Sequence, residues 1–149
     1  MIMLSPHFTL EELIHSDLAI RKGINNYPSA DVLENLKLLA KGLETVRAIL
    51  GRAVLVSSGY RCEELNAAAG GSKTSAHMKG LAADFTCPSF GAQTEVFYTL
   101  KEHADILKYD QLILEFPPSG WVHIGFAEGG TLPRTENLAY SGRAYERIA

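Results

Sequence analysis

Cysteine is scarce in this chain, with only Cys62 and Cys87 in 149 residues. Two cysteines are too few for a disulfide framework, and they lack the paired spacing of a zinc knuckle. Both are expected to be reduced and mostly buried thiols. Long apolar runs are missing too, which argues against a membrane span. Positive charge is not in excess: 14 Lys and Arg against 17 Asp and Glu leave a net charge of −3. Without a basic face, nucleic acid is not expected as a partner. Repeats and low-complexity tracts are absent. The opening Met1-Ile2-Met3-Leu4-Ser5-Pro6 has no basic segment followed by a long apolar one, so the expectation is a product made in the cytoplasm without a signal peptide. What remains is an ordinary globular composition, read as one domain over 1–149 with a sizeable core.

The local pattern divides that domain into a helical part (1–52), a central part (53–126) and a polar extension (127–149) with no assigned structure. Thr9 to Glu12 fits a capping box opening a short helix, with Phe8 as a hydrophobic staple. Asn25 to Pro28 reads as a turn. Ser29 caps a long helix that runs to Leu50 and stops at Gly51. Within it Leu33, Leu36, Leu39, Ala40, Leu43, Val46 and Leu50 form one apolar stripe, which is core. Strands are expected over 53–57 and 82–86, with a polar loop after Gly59 that holds Asn66, Gly70 and Gly71. A helix is expected over 94–107. Two further strands, 111–116 and 121–126, are joined by Pro117-Pro118-Ser119-Gly120, which has hairpin chemistry.

Chemistry concentrates in Ser75 to Asp84 and in Trp121-Val122-His123. His77, Asp84 and His123 make a three-ligand set for zinc that leaves a fourth position open, the mark of a catalytic rather than a closed structural site. Gly80 lets the chain turn between the first two, and Ala82 and Ala83 leave room around an ion. Alternation along the hairpin sends Leu112, Leu114, Phe116, Val122, Ile124 and Phe126 to the core. Gln111, Ile113, Glu115, Trp121, His123 and Gly125 then share the other face, with Glu115 opposite either His123 or Trp121. A hydrolytic zinc site also needs a proton acceptor, a proton donor and a group to stabilise the oxyanion. Glu115 is the candidate for the first two roles, the other reading being an exposed or ligand-orienting carboxylate. Arg61 is the candidate for polarising a carbonyl or gripping a substrate carboxylate. Ser75 and Gln111 are candidates for orienting the ligands, if they do not serve simple turn and edge-strand roles. Trp121 is placed beside the substrate on the same face. His7, His15 and His103 lack a comparable setting and read as surface or capping residues.

With these residues assembled, the chain resembles the zinc D-Ala-D-Ala carboxypeptidase and L-alanyl-D-glutamate endopeptidase family of the hedgehog/D,D-peptidase fold, in its small phage and prophage form. The segments that carry the likeness are Ser57 to Cys62 with Leu65 and Asn66, Gly71-Ser72, Ser75 to Asp84, Asp110 to Ile113 with Glu115, and Trp121 to His123. The resemblance implies an α+β fold, an antiparallel sheet with helices packed on one side. It implies one Zn2+ per chain on His77, Asp84 and His123, with Arg61 beside the substrate. It also implies peptidoglycan stem or cross-link peptides as substrate, and a monomer that reaches the cell wall after release or within a phage particle. One departure stands out. Many members carry the catalytic acid three residues before the last His, where this chain has Gly120. Either Glu115 takes that role from the neighbouring strand, or the chain is a zinc-retaining wall-binding module or a phage structural domain.

Overall fold

A computed structural model describes residues 1–149. The first third follows its caps. Strands β1 (Met3–Ser5) and β2 (Phe8–Thr9) form a small antiparallel pair, and β2 runs into α1 (Leu10–Ile14). The Thr9 hydroxyl accepts from Glu12 N–H while the Glu12 carboxylate accepts from Thr9 N–H, a complete capping box. Phe8 and Leu13 are both buried, as a staple requires. Helix α2 (Asp17–Lys22), absent from the sequence reading, is one short amphipathic turn capped by Ser16. Helix α3 (Ala30–Leu50) starts at Ser29, whose side chain accepts from Val32 N–H, and ends at a left-handed Gly51. Its Leu36, Leu39, Ala40, Leu43, Val46 and Leu50 are buried, while Leu33 lies half-buried at the edge of the stripe.

The remaining helices are α4 (Glu63–Ala68), α5 (Gln93–Glu102) and α6 (Ala104–Leu107). The single helix expected over 94–107 breaks at His103, whose ring donates to the Thr99 carbonyl. The loop expected after Gly59 contains α4, capped by the Cys62 sulfur. Both cysteines are free; the Cys87 thiol is buried and donates to the Ala53 carbonyl.

The main sheet joins β3 (Leu55–Ser58), β4 (Ala82–Thr86), β5 (Gln111–Glu115), β6 (Trp121–Gly125), β7 (Glu136–Tyr140) and β8 (Tyr145–Arg147) in the order β3-β4-β6-β5-β7-β8. Four of its pairings are antiparallel, as expected. The β5–β7 pairing is parallel, so the fold is α+β with a mixed sheet. The cause is the C-terminal extension, which returns to the β5 edge and pairs there in the same direction.

One sheet face, carrying Ala83, Phe85, Leu112, Leu114, Val122 and Ile124, packs with α3 and α5 into the core. Burying each of these larger aliphatic side chains contributes about 1.5–3 kcal/mol. Phe126 lies against this core half-buried. Phe116 does not: it is exposed and has a φ of 54°, which turns it out of the strand alternation at the mouth of the hairpin. There it packs against Trp121 and Tyr140 instead. The opposite sheet face is left for chemistry.

Candidate metal centre

Three elements bring the ligand set together. Asp84 on β4 pairs directly with His123 on β6, and the two side chains share the non-core face. His77 comes from a 3-10 turn (Ala76–Lys79) opened by Ser75 and closed by Gly80 at φ 73°. The Ser75 hydroxyl accepts from His77 N–H, so Ser75 orients this ligand through the backbone. All three side chains are buried, and their ligand atoms lie within 4.8 Å of one another.

Hydrogen bonding fixes what these atoms can do. His77 Nδ1 lies 2.7 Å from the Gly59 carbonyl oxygen, which only accepts, so Nδ1 carries the proton. His77 Nε2 is therefore bare in the neutral ring, and it faces Asp84 Oδ1 at 3.3 Å. His123 Nδ1 reaches the same oxygen at 2.9 Å. The His77 contact is favourable when a proton or a metal ion sits between Nε2 and the carboxylate oxygen. Burial pushes the Asp84 carboxyl up, but the two imidazoles outweigh it and hold the group below the ordinary carboxylate range. Two nitrogens and one oxygen, converging and dry, are the donor set that zinc takes in hydrolytic sites. The residues fit such an ion.

The carbonyl that holds His77 has its own structural reason. A Cβ at Gly59 would fall 2.2 Å from the Leu13 carbonyl oxygen, so only glycine lets this strand end approach α1. Asn26 secures the next residues, donating to the Ile14 and Tyr60 carbonyls and accepting from Cys62 N–H. Sequence reading missed both roles. Asn26 sat in a motif that reads as a turn, and its partners are distant along the chain.

Around the ligands stand the other sequence candidates. Glu115 pairs across the strands with Trp121, the second of the two registers open to the sequence, and Ile113 stands opposite His123. Trp121 Nε1 donates to Glu115 Oε2 at 2.6 Å. Burial, then the charge of Asp84, raises the Glu115 carboxyl above its ordinary value of 4.5. Arg61 follows β3 at one side of the site, and its backbone N–H donates to the His77 carbonyl. Its guanidinium is half-buried within the influence of Asp84 and Glu115; burial lowers its pKa, and its Nε has no hydrogen-bond partner. Gln111 shares this face, but its amide is engaged by the neighbouring strand, donating to Glu136 Oε1 at 2.8 Å. Gln93, unmarked in the sequence, donates to the Glu115 and Trp121 carbonyls and ties the two strand ends together.

Gly120 answers its own question. A Cβ there would lie 1.9 Å from the Glu115 carbonyl oxygen, so this hairpin has no room for an acidic side chain at position 120. Glu115 on β5 is the carboxylate that this hairpin places on the ligand-bearing face.

Elsewhere His7 pairs with Glu44 and His15 with Asp17, both at the surface. No helix is long and apolar enough to cross a membrane. Compared with known proteins, the chain matches a family model described as Peptidase M15 over residues 6–125. A comparison with curated proteins gave no match.

Proposed function

The chain belongs to the peptidase M15 family, a family of zinc-dependent metallopeptidases, and from that premise we propose that it hydrolyses peptide bonds in the stem or cross-link peptides of bacterial peptidoglycan. His77, Asp84 and His123 would hold the ion. A zinc ion there supplies Lewis acidity, lowering the pKa of a water to about 7 and polarising a carbonyl.

Glu115 is the general base and acid of this reading. Its carboxylate takes a proton from the attacking water and returns it to the departing amine. Burial suits it to the first step, because a raised carboxyl is a stronger base, and a pKa moved toward the working pH lets the same group return the proton. Trp121 fixes the carboxylate through its indole N–H, so Glu115 waits in one orientation. Arg61 grips a substrate carboxylate or steadies the developing oxyanion with its half-buried guanidinium.

The observation that carries this reading is the lateral placement of Glu115 on the ligand-bearing face, locked by Trp121, where Gly120 admits no acid. It favours an enzyme over a wall-binding module that merely keeps its metal cage. The reading takes the protein as a monomer with one zinc, reaching the wall after release or on a phage particle. Mass spectrometry of soluble products from purified peptidoglycan tests it, with zinc content measured in the same batch. Free D-alanine would name a carboxypeptidase, and defined stem fragments an endopeptidase. Protein that holds one zinc and releases no product would overturn the proposal.

A further inference from the structure

The ligand-bearing face does not end at Glu115. Glu115 pairs with Tyr140 on β7, and Tyr140 pairs with Tyr145 on β8. Directly paired residues present their side chains on the same side of a sheet. Trp121, Glu115, Tyr140 and Tyr145 therefore form one row across four strands. The rings of Tyr140 and Tyr145 stack, with centroids 4.4 Å apart and planes 25° apart. Phe116 closes the row from the hairpin mouth, edge-on to Tyr140 and tilted against Trp121. Tyr145 is 56% exposed, although its own strand is hydrogen-bonded into the sheet. Burial, then the charges of Glu115, Tyr140 and Asp84, raises its hydroxyl pKa, so the ring stands within reach of the site's field. Both tyrosines lie beyond residue 125, outside the stretch that matches the family.

The order across the sheet gives the substrate a direction. Arg61 stands by β3 at one edge, the ligands on β4 and β6, Glu115 on β5, and the tyrosines on β7 and β8 at the other edge. A chain laid across the strands would meet a cation, then the hydrolytic centre, then an aromatic platform. Two strand spacings separate Glu115 from Tyr145, roughly 10 Å or about three residues of extended peptide.

We propose that Tyr145, stacked on Tyr140, is the floor of a subsite for a pyranose ring, the sugar to which the substrate peptide is attached. This rests on the peptidoglycan reading above. A single apolar side chain is best held in a pit, whereas a stacked pair with an exposed face offers a flat platform. The axial C–H groups of a sugar ring lie flat on such a face, and the tyrosine hydroxyls at its margin can bond to sugar hydroxyls. The exposed Arg147 on the same strand adds donors at the rim.

The test titrates the zinc-loaded full chain with the soluble disaccharide of N-acetylglucosamine and N-acetylmuramic acid, followed through the aromatic NMR signals. The expected result is a shift of the Tyr145 and Tyr140 signals in the wild-type protein. Tyr145→Ala should weaken binding roughly tenfold, the scale of one aromatic stack, and Tyr145→Phe should keep most of it. No disaccharide binding, equal binding by Tyr145→Ala, or equal loss in both variants would overturn the subsite. So would shifts of these signals with a free stem peptide but not with the sugar. The disaccharide holds no scissile peptide bond, so this result is independent of turnover. Wild-type cleavage of a sugar-free stem peptide, assayed in parallel, reports on the peptidase reading alone.

Discussion

The two halves of the ligand-bearing face are held by different physics. On β4 and β6, Asp84 and His123 are buried, share one oxygen contact with His77, and rest on a carbonyl that only a glycine can bring so close. On β7 and β8 the ladder to β5 and the packing of Leu138 and Ala139 are supplemented by polar attachments open to water. Arg134 forks onto Asp110 with its guanidinium more than half exposed, and Glu136 N–H donates to the Asp110 carbonyl. Buried polar groups are costly to disturb, and exposed ion pairs contribute little. The first half is built to hold a geometry, and the second to present a surface.

The largest effect should come from removing a ligand. Asp84→Ala is expected to abolish zinc binding, read as metal per chain, together with all hydrolysis, while β7 and β8 remain paired. Next comes Glu115→Gln, with kcat lower by about 10²–10⁴-fold and zinc retained, since that is the usual worth of a general base. Wild-type turnover in this variant would remove Glu115 from the mechanism. In the metal-free chain, where burial and the Asp84 charge raise the Glu115 carboxyl, its NMR signal should show an acid titration limb above 4.5. A limb at or below that value would contradict the raised carboxyl.

Gly59→Ala sharpens the comparison from within the first half. Its side chain would collide with the Leu13 carbonyl and displace the acceptor that fixes the His77 ring. Zinc affinity should drop by about 10–100-fold, as for other outer-sphere partners of metal-bound imidazoles. Unchanged affinity would show that His77 needs no such support.

The smallest effects belong to the second half. Arg134→Ala should cost about 0.5–1 kcal/mol, an exposed pair discounted for screening. It should speed amide exchange in β7 and β8 while leaving β4 and β6 untouched. The hydrogen bond from Arg134 holds the Asp110 carboxyl below its ordinary value. A depressed folded pKa gives stability that is present above the unfolded carboxylate value and lost as pH falls through the folded one. Amide protection in β7 and β8 should therefore fade first on acidification below about pH 4. Uniform fading across the sheet would erase the distinction between the halves.

The same division decides what could be read from the sequence. Features set by local chemistry were legible: the Thr9–Glu12 box, the Ser29 and Gly51 caps of α3, and the alternation that put Glu115 and His123 on one face. The convergence of His77, Asp84 and His123 could be read because their residue types are few and the turn at Gly80 is local. Non-local roles were hidden. Nothing near Asn26 or Gln93 announces partners more than twenty residues away. Glu136 to Tyr140 is a short segment of mixed character whose strand pairing, parallel to β5, is a contact that no local pattern encodes. Phe116 followed its alternation in sequence but not in space, because a positive φ intervenes.

The return of the chain to β5 also bears on how the protein survives at high concentration. Without β7, the run Leu112-Ile113-Leu114 would form an open sheet border, with unpaired backbone groups ready to template another chain. β7 covers that border, and the new one is β8, three exposed residues that include Glu146 and Arg147. Short, charged borders resist edge-to-edge association. The strands that carry the tyrosine platform thus also guard the sheet against aggregation, so a chain cut short after Phe126 should be lost first to insolubility.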